Sequence, residues 1–392
     1  ERMLQDRVLD LSTLPTPTEE GKGMPNNPDY ILLTGGTGFF GNYLLQQLIE
    51  RTTSKIFLLV RANSVKHAYN RIIASLEKNN VNIDFKEINK RCFPFPGDTD
   101  LPHLGIENDD LYEELLKKID VVFHCAANVN YVLPYEHMQG NIISTKNIID
   151  FCYRGKRKEL HYASTLIIFG WTTKKTLLES DNNDDCRNVC FGYAQTKWVA
   201  EQLVIQAGNN GLKTKVYRPT FLTASITTNG YNEFDIVSKY ILFSLKHRVA
   251  AVGPNNINIF AVDLAAQNMV TLSMMDDFYG KNFHLSSSYT DYVGVMSDIV
   301  EKQLNIKFKR YNYEEFLEYL NENGSPSDQL YPLIPFANEN YSYIQRMENK
   351  QYGNEYTKNC FVKYGLVYAE RELSVLLESI IKYLRRKRLT LL

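Results

Sequence analysis

Tyr30-Ile31-Leu32-Leu33-Thr34-Gly35-Gly36-Thr37-Gly38-Phe39-Phe40-Gly41 is the stretch whose reading decides the fold. An apolar run of strand length meets glycines at intervals of three and then a helical pattern near 39–52. An α/β chain brings backbone N–H groups up to a pyrophosphate in this way. Gly35 permits the tight turn, Gly38 lets backbone approach the phosphates with no Cβ between them, and Gly41 lets the new helix pack closely on the strand. The G-x-x-G-x-x-G spacing departs from the G-x-G-x-x-G dinucleotide fingerprint. Thr34, Gly35, Thr37, Gly38, Phe39, Phe40 and Gly41 are thus the first candidate cofactor contacts. Three glycines in an ordinary strand-turn-helix are the plainer alternative, and the residues further along have to decide.

With 392 residues the chain is long enough for a large core and divides into two lobes by expectation, because single cores stop growing near 250 to 300 residues. The net charge of -1 gives no basic field for nucleic acid. Nothing in the sequence resembles a signal peptide or a membrane span, so no membrane partner is expected. Six cysteines are too few for a disulfide framework in so long a chain and suit a reducing cytoplasm. Cys186 and Cys190 are four apart without a second pair at ligand spacing, so no metal site is expected.

Residues 1–28, rich in Pro, Gly and Asn toward their end, read as an extended, weakly ordered lead-in, and the opening Glu1 fits a piece of a longer protein. From Asp29 onward, strands at 30–34, 55–60, 91–95, 120–125, 158–163 and 214–218 alternate with helices near 39–52, 64–80, 109–118, 137–154 and 191–209. That succession predicts an α/β fold with a doubly wound parallel sheet of Rossmann type over 29–230, with a returning segment near 250–290. After residue 231 helical patterns near 233–247, 263–276, 292–304, 313–322 and 368–386 are separated by loops rich in Asn, Tyr and Pro, such as 321–343. They predict a smaller, mainly helical substrate lobe over 231–392.

The second strand ends in Val60-Arg61-Ala62, where an NAD-preferring site carries an acid. A guanidinium there suits a 2'-phosphate, and Arg71 could join it, so NADPH is favoured over NADH. Asp98 after the third strand could accept from the adenine amino group. Ala126, Ala127 and Asn128 after the fourth leave room for ribose and nicotinamide, while the neighbouring His124 reads as a satisfied core residue. The catalytic signal is Tyr193-Ala194-Gln195-Thr196-Lys197. Among 26 tyrosines, two stand four residues before a lysine, the other pair being Tyr383 and Lys387. Only Tyr193 opens a helix inside the strand-helix succession. On that helix Tyr193 and Lys197 share a face. The ammonium is expected to lower the phenol from about 10 toward working pH, making Tyr193 a proton donor. An upstream hydroxyl in Tyr162-Ala163-Ser164-Thr165 would hold the substrate carbonyl oxygen.

Taken together, the glycine motif, Arg61, the Ser-Thr segment and the Tyr-Lys helix resemble an extended short-chain dehydrogenase/reductase. Leu59-Val60-Arg61-Ala62, Pro96-Gly97-Asp98 and His161-Tyr162-Ala163-Ser164-Thr165 resemble, more narrowly, the thioester reductase domains that terminate nonribosomal peptide synthetases, and their relatives in carboxylic acid reductases. The resemblance covers roughly residues 29–290. In that family the catalytic hydroxyl lies five residues before a Gly, here Gly170, which selects Thr165 over Ser164. The sequence departs from the family at Phe169, where Tyr is usual, and at Ser144, where Gly is common.

The resemblance implies a peptidyl or aminoacyl thioester on the phosphopantetheine arm of an upstream carrier domain. NADPH would reduce it to an aldehyde, with Thr165 and Tyr193 holding the oxyanion and Lys197 binding the nicotinamide ribose. It also implies secondary-metabolite chemistry in the cytoplasm and a monomer when the domain is excised. Residues 1–28 would be the linker from the carrier. A fatty acyl-CoA reductase, a nucleotide-sugar epimerase or dehydratase, and a non-enzymatic NADPH-sensing regulator are the competing readings. An acid after strand two would favour the sugar enzymes, and intact Thr165, Tyr193 and Lys197 argue against the regulator. The basic run Arg385-Arg386-Lys387-Arg388 reads as a solvated helix end.

Overall fold

The computed structural model describes residues 1–386 apart from 184, 190, 233–235, 254–255, 289–290 and 347–349, and apart from the side chains of 291–292 and 342–346. Cys190 of the Cys186–Cys190 pair, and Lys387 and Arg388 of the basic run, lie outside the described residues. Seven parallel strands form the central sheet: β1 (Tyr30–Thr34), β2 (Lys55–Val60), β3 (Cys92–Pro96), β4 (Val121–His124), β5 (Glu159–Ala163), β6 (Thr214–Pro219) and β7 (Lys281–Leu285). Their order is β7-β6-β5-β4-β1-β2-β3. The order reverses between β1 and β4, so a crevice opens beyond their carboxyl ends, where open α/β sheets bind ligands. Crossovers run through α1 (Phe39–Arg51), α2 (Val65–Lys78), α3 (Asp109–Lys118), α4 (Gly140–Tyr153) and α5 (Gly192–Asn209).

Both faces of the sheet are covered, which is why its strands are continuous apolar runs. Side chains alternate between the faces with period two. Ile31, Leu33, Ile56 and Leu58 enter one core, whereas Leu32, Phe57 and Leu59 enter the other. The six expected strands and the five expected crossover helices stand within a few residues of their predicted bounds. β7 follows the helix Val262–Ser273, which packs on α1, and so completes the sheet within the returning segment.

Beyond β6 the chain builds a cap of helices and two- or three-residue strand pairs. A third cluster of apolar residues, including Phe243, Ala251, Phe316, Leu320 and Leu333, forms its core. The last helix, Leu373–Arg386, is not part of that cap core: Leu377, Ile380 and Leu384 bury in the same cluster as Ile31 and Leu33. The expectation of a loop over 321–343 is corrected, because Ile334–Arg346 is a helix preceded by the turn Tyr331–Leu333. Pro332 and Pro335 occupy first-turn positions, where a missing N–H costs nothing, so they start helices here and do not break them.

The lead-in is also corrected: it is packed, not weakly ordered. Met3, Leu9 and Leu14 lie against the core beneath α4 and α5. Leu9 N donates to Gln206 Oε1 at 3.1 Å, Gln206 Nε2 donates to Arg7 O at 2.5 Å, and Tyr135 OH donates to Asp6 at 2.7 Å. Glu19–Glu20 pairs in parallel with Lys156–Arg157, and Met24 is buried. The apolar residues spaced among the prolines supply the anchors that composition alone does not reveal. Removing residues 1–17 should therefore lower the unfolding free energy by about 2 to 4 kcal/mol, given about 1 kcal/mol for each of three hydrogen bonds plus apolar burial. Urea unfolding of the full and shortened chains checks this, and an unchanged midpoint would mean the segment is only a tether.

Candidate active site

The crevice at the β1/β4 reversal is a cavity of about 500 Å³. Gly35, Thr37, Gly38, Arg61, Arg71, Asp98, Ala126, Ala127 and Asn128 line it, so nine of the proposed cofactor contacts come together. Gly35 has φ +75, and a Cβ there would stand 2.6 Å from Ala126 N, so only glycine lets the β1 turn lie against the β4 turn. A Cβ on Gly41 would stand 2.0 Å from Gly35 O, which is the close packing of helix on turn that the motif predicts. No side chain caps α1 at Gly38, so the helix presents free N–H groups toward the cavity.

Six proposed contacts lie outside its wall: Thr34, Phe39, Phe40 and Gly41 of the glycine motif, and Tyr193 and Lys197. Thr34 is fully buried, bonding His124 Nδ1 at 2.7 Å and accepting from Ala126 N at 3.3 Å, so it shapes the turn from beneath. Phe39 and Phe40 pack on the core, and Gly41 is enclosed by Gly35. His124 is the satisfied core residue expected, and burial pushes its imidazole down to about 3. Arg71 Nη1 donates to the Arg61 carbonyl, which brings both guanidinium-bearing residues to one wall.

The candidate reacting groups come from the end of β5 and the start of α5. Thr165 leaves β5 as the N-cap of the turn Leu166–Phe169, accepting from Ile167 N at 3.3 Å. Tyr193 lies in the first turn of α5, its ring 5.8 Å from that of Tyr131, and its hydroxyl is hydrogen-bonded with Thr165. Lys197 follows one turn later, buried. The structure corrects the expected electrostatics. Burial pushes the Tyr193 phenol above its ordinary range, and only the bond with Thr165 acts the other way. The Lys197 ammonium does not reach it: Nζ donates to Tyr162 OH and to Ala163 O, each at 2.7 Å. Spacing of four does put both residues on one helix face, but β5 supplies nearer acceptors that no helix rule could reveal. Desolvation lowers Lys197 to about 8, opposed by the Cys125 thiol and the Glu201 carboxylate.

A second cavity, of about 400 Å³, is bordered by Leu166 and Ile167, which follow Thr165, and by Phe191, two residues before Tyr193. Leu166, Ile167, Tyr131, Phe191, Phe316 and Phe336 are among its mainly apolar wall, which joins the turn after Thr165 to the helical cap. The loop after β4 runs from the first cavity, at Cys125 to Val129, to the second, at Tyr131.

Sequence reasoning missed several contributors. Asn141 on α4 accepts from Asn128 N at 2.7 Å and donates to Asn128 O at 3.1 Å and to Thr196 Oγ1 at 3.0 Å, fixing the β4 turn. Asp100 enters the first cavity, held above the usual carboxylate range by burial and by Asp98. Tyr162 anchors Lys197. Glu201, one helical turn beyond Lys197, pairs with Arg218 in the core at 2.7 Å, and its spacing from Tyr193 and Lys197 was a signal open to reading. Among the described residues no cluster of His, Cys, Asp and Glu could hold a metal ion, and no helix is long and apolar enough to cross a membrane.

A family model described as "Male sterility protein", an NAD-binding domain, matches residues 33–269. The chain belongs to this family. A linear gramicidin synthase of Brevibacillus parabrevis is 30% identical over 327 residues, 82% of this chain and 6% of that protein. Aldehyde reductase lnbA of Aspergillus flavus is 30% identical over 322 residues, 79% of this chain and 32% of that protein. The chain thus spans a third or less of these relatives. The terminal R domain from the myxalamid PKS-NRPS biosynthetic pathway superposes with a TM-score of 0.88 at 27% identity, covering 99% of this chain and 98% of that one. The reductase domain of a nonribosomal peptide synthetase from Mycobacterium tuberculosis shares the fold, with a TM-score of 0.77 at 18% identity over 99% and 98% of the chains. The architecture is that of such terminal reductase domains, an extended short-chain dehydrogenase/reductase with a nicotinamide-dinucleotide fold.

Because Lys197 is enclosed, its ε-amine should titrate in the ligand-free protein near pH 8, well below the ordinary 10.5. NMR of 13C-labelled lysine reads this directly, and a midpoint near 10.5 would show that water reaches the group.

Proposed function

We propose that the chain reduces a carrier-bound acyl, aminoacyl or peptidyl thioester to an aldehyde and so releases it, using NADPH. One observation carries the reading: a hydroxyl and a neutral phenol, Thr165 and Tyr193, are bonded together, next in chain to residues that line an apolar cavity, while the neighbouring strand ends line a crevice suited to a dinucleotide. The crevice suits the dinucleotide on two counts, an uncapped helix N-terminus and two arginines on its rim. Thr37 and the uncapped N–H groups that open α1 would hold the pyrophosphate, with Gly38 leaving room for it, Arg61 and Arg71 the 2'-phosphate, and Ala126 to Asn128 the nicotinamide half. The bound nicotinamide supplies a hydride.

The protein's own groups do the rest. The raised Tyr193 phenol keeps its proton through the neutral range, so together with Thr165 it donates to the thioester oxygen. As negative charge builds on that oxygen both bonds strengthen, and Tyr193 passes its proton to it. The resulting hemithioacetal collapses, breaking the C–S bond to give aldehyde and free thiol. The apolar cavity takes the acyl group and excludes water. A carrier partner is supported by a solved thiolation-reductase di-domain of an archaeal synthetase, which shares the fold.

Mass spectrometry of products after incubation with NADPH and a panel of aminoacyl, dipeptidyl and acyl thioesters tests the reading. Aldehyde should form, and Tyr193→Phe should reduce turnover by roughly two orders of magnitude or more with NADPH binding nearly intact. Turnover within about threefold of the parent would remove Tyr193 from the chemistry. Arg61→Ala should weaken NADPH by roughly 10- to 150-fold and NADH far less, as a charge-assisted pair is worth about 1.5 to 3 kcal/mol. Equal losses in a fluorescence titration of the two cofactors would show that Arg61 does not read the 2'-phosphate.

A further inference from the structure

We infer that Arg218, Glu201 and Ser164 are positioning residues: a buried ion pair and one hydroxyl that aim Thr165 and hold the charge state of Lys197. The inference rests on the thioester-reductase reading and adds residues that make no contact with substrate or cofactor cavity.

Tyr193, Lys197 and Glu201 recur at intervals of four, so one face of α5 carries all three toward the ends of β5 and β6. Arg218, at the end of β6, and Glu201 are both fully buried. Nε reaches the two carboxylate oxygens at 3.2 Å each, and Nη2 reaches Oε1 at 2.7 Å. Nη1 donates to the carbonyls of Asp181 at 2.7 Å and Glu179 at 3.2 Å, and the guanidinium lies over the Phe169 ring at 5.2 Å. The remaining capacity of the carboxylate is taken by Ser164, whose hydroxyl donates to Oε2.

Ser164 is therefore pinned twice. Its N–H donates to Tyr217 O on β6 at 2.7 Å, and its side chain is tied to α5. Thr165 is the next residue, and the turn it caps contains Phe169 under the same guanidinium. A displacement of about 1 Å in such a group costs roughly a hundredfold in rate. This is also why Ser164 is unavailable as the substrate hydroxyl, although it stands next to Thr165 in sequence.

The second half of the inference concerns charge. The titratable groups facing Lys197 are Tyr162 on β5, His124 and Cys125 at the end of β4, and Tyr193 and Glu201 on its own helix. Burial keeps the His124 imidazole, the Cys125 thiol and both phenols neutral near pH 7. Glu201 is the anion of the set, and it favours the ammonium. Arg218 holds that carboxylate in place at 2.7 Å, both side chains being fully buried.

Three variants of the full chain test this with NADPH and a thioester the parent reduces. Ser164→Ala should lower kcat about tenfold or more with KM for NADPH unchanged, and Ser164→Thr, which keeps the hydroxyl, should recover most of the loss. Glu201→Gln should move the alkaline limb of the pH–kcat profile, and the NMR midpoint of Lys197, to lower pH. A Ser164→Ala kcat within twofold of the parent overturns the aiming of Thr165. An unmoved Lys197 midpoint in Glu201→Gln overturns the charge role, and should that variant fail to fold, the Ser164 pair alone decides. A parent that reduces no thioester defeats the functional reading instead, and the Lys197 midpoint, which needs no turnover, still judges the charge role.

Discussion

A buried guanidinium, Arg218, is the constraint on which the active half of this molecule depends. It cannot exist in the core without an anion, and the anion it finds, Glu201, is carried by a different element. Removing one member of such a pair typically costs about 3 to 5 kcal/mol, because the other is left charged and dry. β6 and α5 therefore meet in one register, and the end of β5 joins them through Ser164. An apolar replacement could match the packing energy of the pair. It would leave three elements free to slide by fractions of an ångström, and two of them, the end of β5 and α5, carry Thr165, Tyr193 and Lys197.

The reverse holds on the catalytic face, where charge has been withdrawn. The Tyr193 phenol is raised, and Lys197 is lowered to about 8, for the same reason: neither is well solvated in the ligand-free state. A lysine held by Tyr162 and Ala163 O is satisfied without touching Tyr193, so the site does not need an activated phenolate in order to be stable. A phenol that stays protonated is suited to donating toward an oxygen whose charge grows during reaction. It would be a poor base.

How much of this was legible from residues alone follows from where each interaction lies. Elements that depend on local rules were readable. The glycine turn, the apolar strands buried on both faces and the crossover helices follow from spacing and periodicity, and nine of the residues proposed as cofactor contacts line one crevice because strand ends must gather at the sheet's reversal. Interactions that cross between elements were not. Nothing in Tyr193-x-x-x-Lys197 says that Tyr162 lies closer to the lysine than Tyr193 does. Thr34 looked like a cofactor contact but is fully buried, its hydroxyl bonded to His124 and to Ala126 N. The prolines at 332 and 335 carry two meanings, breaker or first-turn residue, and only the packing of Leu333 in the cap core distinguishes them.

The lead-in shows the same division and changes how a carrier would act. Composition suggested a flexible tether, and twenty-eight free residues would let a domain wander over about 30 Å at 5 to 6 Å times the square root of length. Instead Met3 and Leu9 anchor the segment against α5, and Glu1, Arg2 and Met3 border a cavity of about 520 Å³. Tyr131, Phe191 and Phe336 form a wall common to that cavity and to the apolar one beside Thr165. For a carrier preceding this lead-in, packed chain would lead to the rim of the apolar cavity that Leu166 and Ile167 line. Effective concentration rises when a linker's free length matches the span it must cover and falls as the free length exceeds it. An anchored lead-in shortens the free length of any such linker without shortening the chain.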